Sequence, residues 1–320
     1  MIYIVFFFCS FALTYLIKKH AIKNALFAEI NERSSHTVPT PHGGGIAIAI
    51  TWFLGLVYLY IFKDIEAKLF YALMAGVIIS FVSYLDDLYE LSPKVRLLTQ
   101  AFVALFGLYQ LGGFKELDLF FFTIENQLLT NIFAFLMIIW FINLYNFLDG
   151  IDGYAGSEAV FLSFAGFILF GGAHFLLLLV AVAGFLFWNW HKAKIFMGDV
   201  GSTLLGYNIA IFTIYYANQD AQNFWIWIIL FGLFWFDATL TLFRRKKNAE
   251  QLSKAHKKHA YQRLTQAGWA HNKVVLFGLG VNVLLFIIVI TIHSSLSAFL
   301  IVLGLLYVIM RFVDKKKAFK

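Results

Sequence analysis

The chain has 320 residues, of which 61% are hydrophobic and 13% are charged, and its formal net charge is +7. The charged share is about half that of an ordinary soluble domain, so the composition excludes a soluble globular protein and indicates the lipid bilayer as the main solvent. The single cysteine, Cys9, excludes a disulfide framework and a cysteine metal site.

Eleven apolar stretches approach the roughly 20 residues that a helix needs to cross the hydrocarbon core. The first has no basic residue ahead of it and Lys18 and Lys19 just behind, which is the reverse of a signal peptide, so we expect a retained membrane helix with the N-terminus outside. The sixth is short, and the turn at 171–173 is also compatible with a re-entrant pair. The stretches span 1–17, 43–62, 68–85, 96–113, 128–147, 157–171, 174–190, 201–217, 224–243, 273–292 and 296–313.

The basic residues support this topology. Of the 25 lysines and arginines, 22 fall in breaks assigned to the inside, and only Lys63, Lys68 and Lys115 fall outside. The positive-inside rule therefore favours a cytoplasmic C-terminus. With no linker or clear repeat, the predicted fold is all-α, a single polytopic membrane domain over 1–320 with about 11 transmembrane helices. Its cytoplasmic loops are expected at about 18–42, 86–95, 148–156, 191–200 and 244–272.

Six acidic residues are candidates for function, because an aspartate at mid-bilayer costs about 2.5–3.5 kcal/mol. Asp237 lies about 10 Å of helix before Arg244 and is interpreted as a buried structural residue or a neighbour of a lipid phosphate. The other five lie at the cytoplasmic ends of different predicted helices and can converge on one site: Asp86 and Asp87 in "SYLDDLYELSPKVRLLTQ", Asp149 and Asp152 in "NLYNFLDGIDGYAG", and Asp199 in "AKIFMGDVGS". If "NFLDGID" continues its helix, Asn146 shares one side of it with Asp149 and Asp152.

Oxygen ligands with no nearby cysteine suit a hard cation such as Mg²⁺, whose shell a substrate phosphate would complete. Lys94, Arg96, Lys194 and the basic run from Arg244 to Arg263 lie on the same side and can neutralise phosphates. Taken singly, such residues are more often topology determinants or contacts to lipid headgroups. "HTVPTPHGGG" either offers backbone N–H groups to an anion or is an ordinary entry into a helix.

Histidines give weaker signals. "KAHKKHAYQRL" places His256 and His259 three residues apart in a basic loop, where two histidines without a carboxylate are usually surface residues. His20, His174, His191 and His271 are interpreted as ordinary structural or surface residues.

Five segments in order, "PTPHGGG", "DDLYELSPKVRLL", "NFLDGIDG", "KIFMGDVGS" and "HKKHAYQRL", together resemble the polyprenyl-phosphate N-acetylhexosamine-1-phosphate transferases of glycosyltransferase family 4. The resemblance implies an enzyme of the bacterial inner membrane that uses Mg²⁺, or alternatively Mn²⁺, with its active site facing the cytoplasm. In it, undecaprenyl phosphate would attack the β-phosphorus of a UDP-N-acetylhexosamine and expel UMP. Membrane lipids are the other expected partners, and no nucleic-acid partner is expected. A homodimer is compatible with the family.

The resemblance also implies roles for individual residues. Asp199 would be the chief metal ligand, with Asn146 beside it. The remaining assignments place Asp86 and Asp87 at the lipid phosphate as base or positioning groups, Asp149 and Asp152 in the nucleotide-sugar pocket, Phe196 on the uracil, Lys94 and Arg96 at phosphates, and His256 and His259 in the family's histidine-containing loop.

Two departures from the family pattern narrow the expectation. His42 stands where family members more often have arginine, and "HAYQ" replaces the adjacent histidines of the peptidoglycan enzyme. The loop therefore resembles the O-antigen-initiating branch, with a role in lipopolysaccharide or other cell-surface polysaccharide synthesis and an N-acetylhexosamine or 6-deoxy relative as the sugar. The alternatives are a polytopic transporter, whose charges would follow a path across the bilayer, and an aspartate-rich intramembrane prenyltransferase.

Overall fold

The computed structural model describes residues 1–24, 26–27, 39–252, 254 and 256–319. Within these ranges the regular structure is fourteen helices and one short antiparallel hairpin, in which Leu117 pairs with Ile124. The elements are α1 (Ile2–Lys23), α2 (Gly45–Ile61), α3 (Ala67–Met74), α4 (Gly76–Tyr89), α5 (Pro93–Leu111), β1 (Leu117–Asp118), β2 (Thr123–Ile124), α6 (Gln127–Phe147), α7 (Tyr154–Phe170), α8 (Ala173–Asn189), α9 (Asp199–Ala217), α10 (Gln222–Leu230), α11 (Gly232–Lys247), α12 (Ala260–Gln266), α13 (His271–Thr291) and α14 (Ser295–Lys316). The predicted helical class is confirmed.

Each predicted apolar stretch coincides with a helix or with a pair of helices. Two stretches are broken: α3 and α4 are separated at Ala75, and α10 and α11 at Phe231, where the chain bends by 74°. Both breaks lie inside continuous apolar sequence, so hydropathy gives no sign of them. Between α7 and α8 the chain turns at Gly171 and Gly172, both with positive φ.

The length and apolar composition of the helices identify the chain as a membrane protein. Among the described residues, five helical spans are long and apolar enough to cross a bilayer, or six if the bent pair α10 and α11 is one span. The helices α2, α7 and α8 are apolar but shorter, at 17 residues each. The predicted total of eleven transmembrane helices and the predicted orientation stay predictions.

The helix α9 lies at the centre of the bundle, where it packs against α2, α4, α6 and α10. Every residue from Val200 to Ala217 is buried, which explains why small and polar residues interrupt its apolar sequence. A Cβ added at Gly206 would lie 2.5 Å from the carbonyl oxygen of Phe141 on α6, so the two helices approach closely there. This packing holds the first residue of α9, Asp199, in the middle of one end of the bundle.

Candidate active site

A cavity of about 860 Å³ opens at the end of the bundle where α4 and α6 end and α9 begins. Eight of the residues selected from sequence line it, and they come from separate parts of the chain. They are Asp86, Asp87, Arg96, Asn146, Asp149, Asp152, Phe196 and Asp199. The structure therefore brings all five aspartates that were expected to converge into one cavity.

The two adjacent aspartates occupy the last turn of α4, and hydrogen bonds fix the first of them. The backbone N–H of Leu91 donates to Asp86 Oδ1 at 2.7 Å, and Arg96 donates from a guanidinium nitrogen to Asp86 Oδ2 at 3.2 Å. The helix ends where Glu90 adopts a left-handed conformation, and Ser92 then caps α5. The short connection thereby carries Arg96 back over the end of α4.

The amide of Asn146 joins α6 to α9. Its Nδ2 group donates to Asp199 Oδ1 at 2.8 Å and to Ser202 Oγ at 2.9 Å. Asp199 is the first residue of α9, where the helix dipole favours a negative charge. The arrangement places one carboxylate and one amide side by side in the buried part of the cavity.

Asp149 and Asp152 reach the cavity from a loop and not from a continued helix. The helix α6 ends at Phe147, and α7 begins only at Tyr154, so "NFLDGID" does not continue the helix. The expectation that Asn146, Asp149 and Asp152 share one side of a helix depended on that continuation and therefore does not apply. The loop is held by packing, since a Cβ at Gly150 would lie 2.0 Å from the Tyr261 hydroxyl, which itself donates to the carbonyl of Phe147 at 3.1 Å.

Burial shapes the charge of Asp149. Its pKa is raised to about 7, first by desolvation in the cavity wall and then by the neighbouring negative charge of Asp199. For the carboxyl to be fully ionised near neutral pH, it needs a cation beside it. A bound metal ion or a basic substrate group would supply one.

Asp152 has a different environment from Asp149. Burial alone would raise its pKa, but His271 and His191 and the backbone N–H of Ala193 stabilise the carboxylate and hold the pKa below its ordinary value. The Nδ1 atom of His191 lies 3.1 Å and that of His271 3.2 Å from Asp152 Oδ2. Asp152 is therefore paired within the protein.

The glycine-rich segment before α2 pairs with the segment that carries Phe196. The N–H groups of Gly44 and Gly45 donate to the carbonyls of Phe196 and Met197 at 2.9 and 2.8 Å, and the N–H of Phe196 donates to the carbonyl of Pro41. Two of the amides considered for an anion are thus used within the protein, as in an ordinary helix entry. The part of this segment before residue 39 lies outside the described residues.

His42 does line the cavity. Burial lowers the pKa of its imidazole, and the opposing charge of Asp199 limits that effect. The side chain is therefore a neutral polar group at neutral pH, unlike the arginine expected in most relatives.

Four predicted site residues lie away from the cavity lining. Lys94 is exposed in the first turn of α5, and the Lys194 ammonium lies over the Trp188 ring at 5.3 Å. His256 and His259 have ring centroids 4.9 Å apart beside α12. Their roles, like those of the cavity residues, stay predictions.

The sixth acidic candidate, Asp237, holds the histidine segment in place. Both of its carboxylate oxygens accept the backbone N–H of Ala260 at 2.9 Å, and Oδ1 lies 3.6 Å from Nδ1 of the buried His259. The pKa of His256 is lowered to about 4, mainly by burial and then by the adjacent His259. Asp237 thus has the structural role considered from sequence, as the anchor at the start of α12.

Sequence reasoning missed several residues of the cavity wall. Gln262 and His271 both line it, and Gln262 also accepts the N–H of His259 in a capping box at the start of α12. His191 and His271 contact the same carboxylate although they are 80 residues apart in the chain. No local signal marks such a pair, because only the tertiary fold brings the two rings together.

Comparison with known proteins agrees with this arrangement. A model of glycosyl transferase family 4 matches residues 69–217. A Bacillus subtilis protein named as a probable undecaprenyl-phosphate N-acetylglucosaminyl 1-phosphate transferase is 34% identical over 282 residues, which cover 82% of this chain and 76% of the relative. The chain belongs to glycosyl transferase family 4. It is a phosphoglycosyltransferase.

More distant relatives extend this family relationship. The undecaprenyl-phosphate alpha-N-acetylglucosaminyl 1-phosphate transferase of Yersinia pestis is 28% identical over 84% of this chain and 77% of its own length. The phospho-N-acetylmuramoyl-pentapeptide-transferase of Streptococcus pneumoniae is 32% identical over 52% of this chain and 56% of its own length. Membership of family 4 sets aside the transporter and prenyltransferase alternatives.

The part of this family 4 chain that matches the model, residues 69–217, runs from α3 to α9 and contains all five cavity aspartates. The cavity is lined by these five aspartates and by Glu90, and Arg96 is the arginine among its lining residues. Acidic residues therefore outnumber arginine in the lining. Oxygen ligands with an excess of negative charge fit a hard divalent cation, which would also let an anionic substrate enter.

Proposed function

We propose that this enzyme transfers an N-acetylhexosamine 1-phosphate from a UDP-sugar to undecaprenyl phosphate and releases UMP. The observation that carries the proposal is the cavity of about 860 Å³ that is lined together by aspartates from α4, from the loop after α6 and from the start of α9. The names of the Bacillus and Yersinia relatives support undecaprenyl phosphate as the acceptor. They also make UDP-N-acetylglucosamine the first donor to test, followed by its 6-deoxy relatives.

Asp199 and Asn146 are the residues that we assign to a magnesium ion. They lie side by side, and the Asn146 amide that donates to Asp199 leaves its own oxygen as a second oxygen ligand. When bound, Mg²⁺ would neutralise the charge that develops on the donor diphosphate during transfer. Mn²⁺, which also prefers oxygen ligands, is the natural substitute.

The acceptor phosphate is assigned to the side of the cavity formed by Asp86, Asp87 and Arg96. One of its oxygens would bond to the β-phosphorus of the donor as the bond from that phosphorus to the UMP oxygen breaks. A phosphate monoester is already largely ionised at neutral pH, because its second pKa is near 6. We therefore assign positioning, and not proton removal, to this pair, with Asp86 orienting the Arg96 guanidinium toward the lipid phosphate.

Asp149, Asp152 and Phe196 line the remaining wall and are assigned to the nucleotide sugar. The distribution of basic residues supports placing this end of the bundle at the cytoplasmic face of the inner membrane, where nucleotide sugars are available. The "HAYQ" loop supports a role in starting O-antigen or a related surface polysaccharide, with the sugar as the product's first residue.

The test is UMP release by the purified protein with undecaprenyl phosphate, Mg²⁺ and a panel of UDP-N-acetylhexosamines. We expect release that needs both lipid and metal, and that falls to background in Asp199→Asn. Asp64→Asn is the matched control, since Asp64 is an exposed acid that is absent from the cavity lining. If folded protein releases no UMP with any donor, or if Asp199→Asn stays as active as Asp64→Asn, the proposal is wrong.

A further inference from the structure

One carboxylate and two imidazoles form a compact cluster beside the cavity, apart from Asp199 and Asn146, and two of the three residues, Asp152 and His271, line the cavity. Asp152 comes from the loop before α7, His191 follows α8, and His271 is the first residue of α13. Oδ2 of Asp152 lies 3.1 Å from Nδ1 of His191 and 3.2 Å from Nδ1 of His271. One possible ligand atom from each of the three residues lies within 4.8 Å of the other two.

These distances are close to those of a three-ligand zinc site. Zinc bonds of about 2.0–2.2 Å in a tetrahedron set the ligand atoms about 3.3–3.6 Å apart. The Asp152 side chain is 8% exposed and fixed, whereas those of His191 and His271 are 27% and 15% exposed. Small rotations of the two rings would bring their nitrogens from the present separation to the tetrahedral spacing.

The ligand types also distinguish this cluster from the rest of the cavity. Imidazole nitrogens suit Zn²⁺ and related transition metals, whereas carboxylates and amide oxygens suit Mg²⁺. The N–H of Ala193 donates to Asp152 Oδ2 at 3.2 Å and so helps to hold the carboxylate in place, as an outer-shell partner does in metal sites. Since Asp152 and His271 line the cavity, a fourth coordination position can be filled from it.

We propose that Asp152, His191 and His271 form a zinc-binding site at the edge of the cavity, separate from the site assigned to magnesium. Bound zinc occupies the carboxylate assigned above to the nucleotide sugar, so zinc inhibits transfer by competing with the donor. The inhibition rests on the proposed function, whereas zinc binding itself does not.

The binding test uses tag-free protein in detergent at slightly alkaline pH, where ordinary histidines are neutral. Zinc affinity is measured by competition with a chromogenic chelator in the absence of any substrate. We expect one zinc ion per chain that millimolar Mg²⁺ does not displace. His191→Gln and His271→Gln should each weaken binding by more than about tenfold, the lower limit seen when even an outer-shell partner is removed.

His293→Gln is the matched control, because His293 is exposed in the turn between α13 and α14. Thermal unfolding of each variant establishes that it is folded before its affinity is compared. Folded wild-type protein that binds no zinc, or folded His191→Gln and His271→Gln variants that bind it as tightly as His293→Gln, would overturn the proposal and leave the cluster as hydrogen-bonded imidazoles.

The inhibition test adds zinc to the UMP-release assay. Inhibition that decreases as the UDP-sugar concentration rises, and that is lost in His271→Gln at the same zinc concentration, supports the competitive site. Zinc that binds to the three residues without slowing transfer refutes the inhibitory role. If no donor gives UMP, the chelator measurement still decides whether the site binds zinc, so the two proposals fail independently.

Discussion

Replacing Gly150 with alanine tests how the loop between α6 and α7 is held in the cavity. The added Cβ would lie 2.0 Å from the Tyr261 hydroxyl, 2.9 Å from Cζ and 3.1 Å from Cε2 of the same ring. Tyr261 is 2% exposed and packs against Tyr154 and His259, so its ring has little room to move. The φ of Gly150 lies outside the left-handed range, so the effect is steric.

The size of the effect follows from two terms. Overpacking in a close-packed interior costs about 1–3 kcal/mol. Displacing the Tyr261 hydroxyl breaks its hydrogen bond to the carbonyl of Phe147, which costs about 0.5–1.5 kcal/mol. We therefore expect Gly150→Ala to lower the free energy of unfolding by about 2–4 kcal/mol and to lower transferase activity, because Asp149 and Asp152 flank the displaced residue.

Thermal unfolding in detergent and UMP release measure the two effects. Gly280→Ala is the matched control, since nothing lies within 4 Å of a Cβ at that helical position. In the double variant with Tyr261→Phe, which removes the atom nearest the new methyl group, part of the lost stability should return. A Gly150→Ala protein that is as stable as Gly280→Ala would refute the steric account. So would a double variant whose loss of stability equals the sum of the losses in the two single variants.

Two further substitutions test the charges around the cavity. Asp237→Asn turns an amide N–H toward the N–H of Ala260, so we expect a loss of about 1–3 kcal/mol from the unmet donor and faster amide hydrogen exchange at Ala260; unchanged protection would contradict the anchoring role. The pKa of Asp149 is about 7 in the folded protein, against an ordinary value of 3.8. Between these pH values the folded state binds the proton more tightly than the unfolded state, so the free energy of unfolding of the metal-free protein should fall as pH rises. Asp149→Asn should flatten that pH dependence in thermal unfolding scans with a chelator, and an equally steep slope in the variant would count against it.

The sequence predicts the positions of the helices well because, in a bilayer, every backbone polar group must be satisfied within the element. Long apolar stretches therefore become helices with few alternatives. The breaks at Ala75 and Phe231 are not predicted, since the residues on both sides stay apolar and the interruption depends on packing. The end of α6 at Phe147 agrees with the predicted stretch 128–147, but the conditional continuation of the helix through Asp152 does not occur. The loop that replaces it is held by Tyr261, more than a hundred residues away in the chain.

The candidate site was predictable to the extent that its residues are costly in a membrane. Aspartates such as Asp86 and Asp199 are easily recognised in an apolar sequence. Because their predicted helices end on the same side of the membrane, the sequence also predicts that these side chains lie near one another. The pair His191 and His271 carries no such signal, since histidine is tolerated both at surfaces and in cores. Only the fold shows that the two rings lie within 3.2 Å of one carboxylate oxygen.

The position of the cavity follows from how helices end in this bundle. The ends of α4 and α6 and the beginning of α9 meet at one level, and each contributes polar groups where the chain leaves its apolar segment. The buried helix α9 makes this level rigid, because its side chains are enclosed along its whole length after Asp199. A second cavity of about 240 Å³, lined by α4, α5, α6 and α9, shares Asp86, Arg96, Asn146 and Asp199 with the first. The four shared residues therefore lie between the main cavity and a smaller cleft of mixed polar and apolar lining. In the proposed reaction, these two openings would let the donor and the lipid acceptor approach the same residues from different sides.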